Sequence, residues 1–205
     1  MNQASVFPLV RYLSRWTTPV LIRLPVTANQ VTAASMVLGL LAALAFAWNA
    51  PLTGAVLLIA TYVLDNCDGE VARTKNQCSE FGKYFDSFVD WVVHTAFFLG
   101  LGFGVAAQNQ SDVWAWLGYA AAAGGTINYA IGLYFEKADA KEKVAAHEPP
   151  HQPQGPMEWT VFIFRELSRA DFCFLVLLLA LFDGLWLLLP AGAIGAQVYW
   201  GLQFL

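Results

Sequence analysis

The stretch Asp65-Asn66-Cys67-Asp68-Gly69-Glu70-Val71-Ala72-Arg73 is separated by eight residues from Gly82, which leads into Phe85-Asp86-Ser87-Phe88-Val89-Asp90. Asp65 and Asp68 stand three apart, and Asp86 and Asp90 four apart, so within helices each pair shares one face. Apolar sequence flanks the stretch on both sides. The pattern predicts two antiparallel helices joined by a short connection. Asp65 then lies about two turns before the connection and Asp90 about two turns after it, so the pairs sit at similar depth and can face each other.

Working outward, the whole chain is apolar. Of 205 residues, 58% are hydrophobic and 13% charged, and the mean hydropathy is +0.51. A soluble domain is about 45–50% apolar and about 25% charged. Disordered, collagenous, coiled-coil and ordinary soluble-enzyme classes are excluded, and lipid is the expected solvent. A span needs about 20 mainly apolar residues. Candidates cover 30–48, 52–66 (with helix continuing to 73), 82–106 and 113–135, with two more in 172–205. Phe182-Asp183-Gly184 is the expected turn of that last pair, with Leu189-Pro190 as the alternative. The expected fold class is all-α: a polytopic membrane protein of six transmembrane helices, forming a single domain over 1–205.

The cations orient these spans. Arg11, Arg15 and Arg23 precede the first; Arg73, Lys75 and Lys83 surround the junction of the second and third; Lys137, Lys141, Lys143, Arg165 and Arg169 fall between the fourth and fifth. Those are all 11 Lys and Arg of the chain. The positive-inside rule then places both termini and the acidic stretch on the cytoplasmic face, the inner membrane if the protein is bacterial. Residues 1–25 are expected to hold an amphipathic interfacial helix. Over 6–24, apolar side chains recur at helical spacing with three arginines between them. Pro25 ends that helix, and Thr27 with Gln30 forms a capping-box pattern for the first span. No cleavage site is apparent, so the N-terminal segment is expected to be retained. Residues 137–168 are charged, then proline-rich, then aromatic, and read as a cytoplasmic loop with an interfacial segment; His147 and His151 read as solvated loop residues. A net charge of -4 offers no basic face to nucleic acid. Cys67, Cys78 and Cys173 lack CxxC spacing and are expected to be buried reduced thiols.

Four carboxylates at one depth need compensation. One Asp at the centre of a span costs roughly 2.5–3.5 kcal/mol, and less near the interface. Protonation, cationic partners and metal are the available remedies. Arg73 and Lys75 supply only two charges, whereas two divalent ions match four aspartates. All-oxygen ligation suits Mg²⁺, Mn²⁺ or Ca²⁺ over zinc. Gly69, Ala72 and Gly82 keep the acidic faces open to a ligand, and Arg73 offers a fork to a phosphate. Hard metals, a small-residue floor and a cation are what phosphoryl transfer requires. A helix cap with scattered polar residues accounts for Glu70 and Glu80 but not for four aspartates on matching faces.

Asp65-x-x-Asp68-Gly69-x-x-Ala72-Arg73, eight residues, then Gly82-x-x-x-Asp86-x-x-x-Asp90 resembles the signature of the CDP-alcohol phosphotransferase family, class I, at all eight fixed positions. Thr27-Ala28-Asn29-Gln30-Val31-Thr32 is similar to the family's Thr-Pro-Asn-x-x-Thr at the start of span one, with Ala28 in place of proline. The resemblance implies transfer of a substituted phosphate from a CDP-linked donor to an alcohol, with release of CMP, in phospholipid biosynthesis. It implies Asp65, Asp68 and Asp86 as ligands of two Mg²⁺ or Mn²⁺ ions, and Asp90 as general base that also touches metal. It implies a CDP pocket of Asn29, Thr32, Asp65, Gly69, Ala72, Arg73, Ser79 and Gly82, with Lys83 nearby. Arg165 and Arg169 are candidates for binding a phosphate on the acceptor, or for simply anchoring their helix. A homodimer is implied as well. CDP-diacylglycerol is the favoured donor, with a small CDP-alcohol such as CDP-inositol or CDP-choline as the alternative.

A divalent-cation transporter is the non-enzyme alternative, although acids on both faces or an internal repeat would suit it better. His94, one turn beyond Asp90, reads as a hydrogen-bonded core histidine or a cavity residue. Trp91 stands where many family members carry a charge, which loosens any transfer of acceptor specificity. Gly100 and Gly104 form a GxxxG that fits either an intrachain contact or a dimer seam.

Overall fold

The computed structural model of the chain describes residues 9–139, 155 and 172–201. Among these there are helices and no strands: α1 (Leu9–Arg23), α2 (Ala28–Ala47), α3 (Pro51–Thr74), α4 (Glu80–Asn109), α5 (Val113–Asp139), α6 (Phe172–Leu181), a 3₁₀ turn (Leu185–Leu187) and α7 (Leu188–Gly201).

Local chemistry sets the boundaries. Thr27 and Gln30 form the expected capping box: the Gln30 amide donates to Thr27 Oγ1 at 3.3 Å and the Thr27 amide to Gln30 Oε1 at 2.9 Å. Pro51 opens α3 at a position whose N–H would be unpaired anyway. Ser79 caps α4 by accepting from the Gly82 amide at 3.0 Å. Asn49, Asn76, Gln110 and Asp183 adopt positive φ between consecutive helices. The last tail turn therefore falls at Phe182-Asp183-Gly184, while Leu189 and Pro190 lie inside α7.

Two helices, α2 and α4, are long and apolar enough to cross a membrane by length and composition. At about 1.5 Å per residue, α2 spans about 30 Å. Helix α3 is long enough too, but its second half carries the acidic stretch. Helices α6 and α7 are described over 10 and 14 residues, short of the about 20 a span requires.

Helix α2 is the spine: α3 packs on one side of it and α4 on another. Helix α5 then packs on α4, α7 on α5, and both α1 and α6 on α3. Close approach depends on glycine. A Cβ on Gly39 would strike the Val93 side chain, and Cβ atoms on Gly100 and Gly104 would run into the backbone carbonyls of Ala43 and Phe46. The GxxxG of α4 is thus filled by α2 of the same chain. Phe97 lies at the centre of the core, edge-on to Phe46 at 5.2 Å and to Phe172 at 5.4 Å.

Helix α1 lays Val10, Ser14 and Thr18 against α3, leaving Leu9, Tyr12, Leu13, Trp16, Val20 and Leu24 exposed. Its Val10, Ser14 and Thr18 side packs on protein, while its large apolar side chains and its three arginines are exposed. Cys67 and Cys173 are buried thiols as expected, but Cys78 is exposed, because it falls in the short α3–α4 connection rather than in a helix.

Candidate active site

Because α3 and α4 both pack on α2, a cleft opens between their facing surfaces. The carboxylates of Asp65 and Asp68 enter it from α3 and that of Asp86 from α4. Oxygens of these three all lie within 4.8 Å of one another. A hard divalent ion binds oxygen at about 2.1 Å and so holds ligands up to about 4 Å apart across itself; the trio fits such an ion with little adjustment. Asp68 is buried, and Asp65 and Asp86 are half-buried. Three carboxylates this close repel one another when ionised, and a divalent ion held among them would remove the repulsion.

Asp90 follows one turn beyond Asp86 on α4. It lines a cavity of about 150 Å³ together with Asp65. Asp65, Asp68 and Asp86 thus form the tight trio, and Asp90 lies beside Asp65 across the same cleft.

The residues expected in the nucleotide pocket come together in small groups. Thr32, buried on α2, donates its hydroxyl to Asp68 Oδ2. At Gly82 a Cβ would lie 3.2 Å from both Asn29 Oδ1 and Ser79 Oγ, so Asn29, Ser79 and Gly82 meet at the start of α4. At Gly69 a Cβ would lie 3.4 Å from a guanidinium nitrogen of Arg73, so that group covers the open face of α3. Ala72 follows on α3, half-buried, and its carbonyl accepts from the Gln77 amide at 2.8 Å. Arg165 and Arg169 lie outside the described residues, as do His147 and His151.

Lys75 has a different role from the one its position suggests. Its ammonium donates to the carbonyls of Leu21, Leu24 and Val26 at 3.2, 2.8 and 2.7 Å. All three of its hydrogens are engaged at the end of α1, so it is a clamp between α1 and α3 rather than a counter-ion for the aspartates. Gln77 acts beside it, its Oε1 accepting from the Ala28 amide at 2.9 Å. Trp91 turns away from the cleft toward α5, where its indole donates to Thr126 at 3.0 Å and stacks on Tyr129 at 5.2 Å. His94 both lines the cavity and is hydrogen-bonded, 3.0 Å from Tyr62 Oη. Sequence reading missed Lys75 as a clamp, Gln77, and Tyr62 with Asn66. The only signal for the last pair was two polar side chains one turn before and beside Asp65.

Comparison with known proteins bears on this arrangement. A family model described as CDP-alcohol phosphatidyltransferase matches residues 25–148. The bifunctional IPC transferase and DIPP synthase of Aquifex aeolicus is 40% identical over 75 residues, covering 37% of this chain and 17% of that protein. Its counterpart in Thermococcus kodakarensis is 35% identical over 89 residues, covering 43% and 20%. The chain thus matches at most a fifth of the length of these curated relatives. The crystal structure of Mycobacterium tuberculosis phosphatidylinositol phosphate synthase with CDP-DAG bound shares the fold, with a TM-score of 0.58 and 22% identity, covering 92% of this chain and 91% of that one. The same enzyme in complex with manganese and citrate gives a TM-score of 0.52 at 22% identity, covering 94% and 85%. The family match takes in more than half of the chain and includes both halves of the aspartate stretch, so the chain belongs to the CDP-alcohol phosphatidyltransferase family.

Proposed function

We propose that this protein is an integral membrane transferase that moves a substituted phosphate from a CDP-linked donor to an alcohol hydroxyl, releasing CMP. The observation that carries the reading is the meeting of Asp65, Asp68 and Asp86 from two opposed helices, with Asp90 one turn away beside a cavity. The reaction needs an acidic cluster to hold hard cations and a separate carboxylate to take a proton, and the site offers one of each.

The alcohol oxygen attacks the donor phosphorus while the bond from that phosphorus to the CMP oxygen breaks. The hydroxyl proton passes to the Asp90 carboxylate during attack, because an alcohol is a poor nucleophile at neutral pH. Asp65, Asp68 and Asp86 would hold two Mg²⁺ or Mn²⁺ ions, with Asp90 at their edge; bound there, the ions supply charge neutralisation for the phosphoryl oxygens and the departing CMP. Thr32 orients Asp68. Asn29, Ser79 and Gly82 line one side of the nucleotide pocket and Gly69, Ala72 and Arg73 the other, with the guanidinium placed for a phosphate. Arg165 and Arg169 remain candidates for a phosphate on the acceptor.

Six spans with the site and both termini on the cytoplasmic face fit the chain best. Among the described residues, Arg73 and Lys75 fall at the end of α3, Lys83 at the start of α4 and Lys137 at the end of α5, which antiparallel packing puts on one side. Exposed aliphatic residues such as Val37, Leu40, Leu41 and Val56 lie along the helices, and several exposed aromatics sit toward helix ends: Trp48, Trp116 and Phe182 at one side, Phe81 and Tyr134 at the other. That is the belt pattern of a lipid-facing surface. Homodimerisation is carried over from the family resemblance alone, since α2 already fills the α4 glycine seam.

CDP-diacylglycerol is the favoured donor, supported by the end-to-end fold likeness to a synthase solved with CDP-DAG. A small CDP-alcohol is the second reading, supported by the higher identity to the IPC transferase segments. The test is CMP release by purified protein offered CDP-diacylglycerol or CDP-inositol, each with a panel of alcohols and with Mg²⁺, Mn²⁺ or EDTA. We expect metal-dependent CMP from one donor, and a loss of about 10²–10⁴-fold in Asp90→Asn, the usual contribution of a general base. Metal binding without CMP from any donor would instead favour a divalent-cation transporter.

A further inference from the structure

The cavity beside Asp90 is half apolar, with Val89 and Val93 in its wall, and its polar half consists mainly of hydrogen-bond acceptors. Its hydroxyls have already given up their protons: Ser35 donates to the Thr32 carbonyl at 2.7 Å and Thr61 to the Leu57 carbonyl at 2.9 Å. Asn66 spends one of its two amide hydrogens on the Tyr62 carbonyl at 3.0 Å. The histidine fixes the remaining pair. His94 Nδ1 lies 2.9 Å from the Asp90 carbonyl, which can only accept, so Nδ1 carries the hydrogen. Nε2, the other ring nitrogen, lies 3.0 Å from Tyr62 Oη, so the phenol is paired with the ring. What faces the cavity is therefore hydroxyl oxygens of Ser35, Thr61 and Tyr62, the Asn66 amide with one N–H still to donate, and the carboxylates of Asp65 and Asp90, against Val89 and Val93. No Lys or Arg lines it among the described residues.

Two carboxylates and three spent hydroxyls with no cation favour a ligand that brings hydrogen-bond donors over one rich in anionic oxygens, and the valines accept its carbon skeleton. Its volume of about 150 Å³ leaves room for a small alcohol. We propose that this cavity is the acceptor subsite, that it takes the hydroxyl- or ammonium-bearing, phosphate-free part of the acceptor alcohol, and that Tyr62 and Asn66 set its specificity. The proposal rests on the transferase reading above. Any phosphate on the acceptor sits outside this cavity. Tyr62, held by His94, receives a donor group of the alcohol and turns the reacting hydroxyl toward Asp90.

Two readouts keep the subsite separable from the reaction. The first is the thermal midpoint of purified protein with Mn²⁺ and 100 mM-scale glycerol, myo-inositol, ethanolamine or glycerol 3-phosphate, in wild type, Tyr62→Phe and Asn66→Leu. The second is CMP formation from CDP-diacylglycerol or CDP-inositol with the same alcohols. Glycerol and myo-inositol report a polyol head, and ethanolamine an amino alcohol. We expect at least one of these three to raise the midpoint in wild type and not in Tyr62→Phe. The KM for that alcohol should rise about tenfold or more in both variants, with the donor KM within twofold of wild type. A stabilising effect without CMP from any donor would sink the transferase reading and leave the subsite standing. No stabilisation by the three, or an alcohol KM indifferent to both substitutions, overturns the subsite, as does transfer to glycerol 3-phosphate alone with a KM that Tyr62→Phe does not change.

Discussion

Thr32 is buried on α2 and reaches across to Asp68 on α3, the most buried of the clustered carboxylates. The contact fixes which carboxylate oxygen turns toward the cleft, and a group that orients a metal ligand contributes to affinity without touching the ion. Thr32→Val keeps the shape and removes the donor. The half-saturating Mn²⁺ concentration for CMP release should rise about 10–100-fold, the usual effect of losing such a partner, with kcat largely restored at saturating metal. An unchanged metal dependence would remove Thr32 from the site. At this scale the four aspartates were legible because helical spacing alone puts them on shared faces, and Thr32 and Asn29 because they sit in a motif. Lys75, Gln77 and the Tyr62–His94 pair were not. Their partners stand 32–54 residues away in sequence, and only packing brings them within reach.

At the scale of elements, turn chemistry carried most of the boundaries. The connections near 49–51, 108–112 and 182–184 fall where asparagine, glutamine and aspartate accept positive φ, and the Thr27–Gln30 box was readable before any packing was known. Which helix lies beside which was not. The acidic stretch pointed to α3 and α4 as direct neighbours, whereas both lean on α2 and face each other across the cleft that becomes the site. Glycine decides this placement, and the GxxxG in sequence did not say which surface would meet it. A methyl at Gly100 would meet the Ala43 backbone, which cannot rotate away. Overpacking of about 1–3 kcal/mol outweighs the about 0.5–1 kcal/mol that alanine gains over glycine inside a helix. Gly100→Ala should therefore lower the thermal midpoint. Gly125→Ala on α5, where nothing lies within 4 Å, should hold or raise it. Equal stability of the two variants would mean that α2 and α4 are not packed this tightly.

At the scale of the whole molecule, composition announced a lipid solvent and the cation distribution announced an orientation, but neither shows how the site meets the two phases. On the proposed orientation, the position of Asp65, Asp68 and Asp86 near the α3–α4 connection would put the reaction within about two turns of the cytoplasm, where a nucleotide arrives, and the exposed apolar flanks of the bundle would face acyl chains. The chain carries its own probe of that orientation. Cys78 is exposed in the α3–α4 connection, next to Ser79, whereas Cys67 and Cys173 are buried. A membrane-impermeant maleimide should label sealed inside-out vesicles at a single thiol and leave right-side-out vesicles unlabelled until they are permeabilised. Cys78→Ser should abolish the labelling. Prior addition of Mn²⁺ with CDP-diacylglycerol should slow it several-fold, because the nucleotide would lie against Ser79 and Gly82 at the start of the same helix. Labelling of right-side-out vesicles would reverse the orientation drawn from the cations, and with it the side from which the donor must come. Labelling from the inner face at a rate unaffected by metal and donor would keep the orientation but move the nucleotide away from the α4 N-terminus.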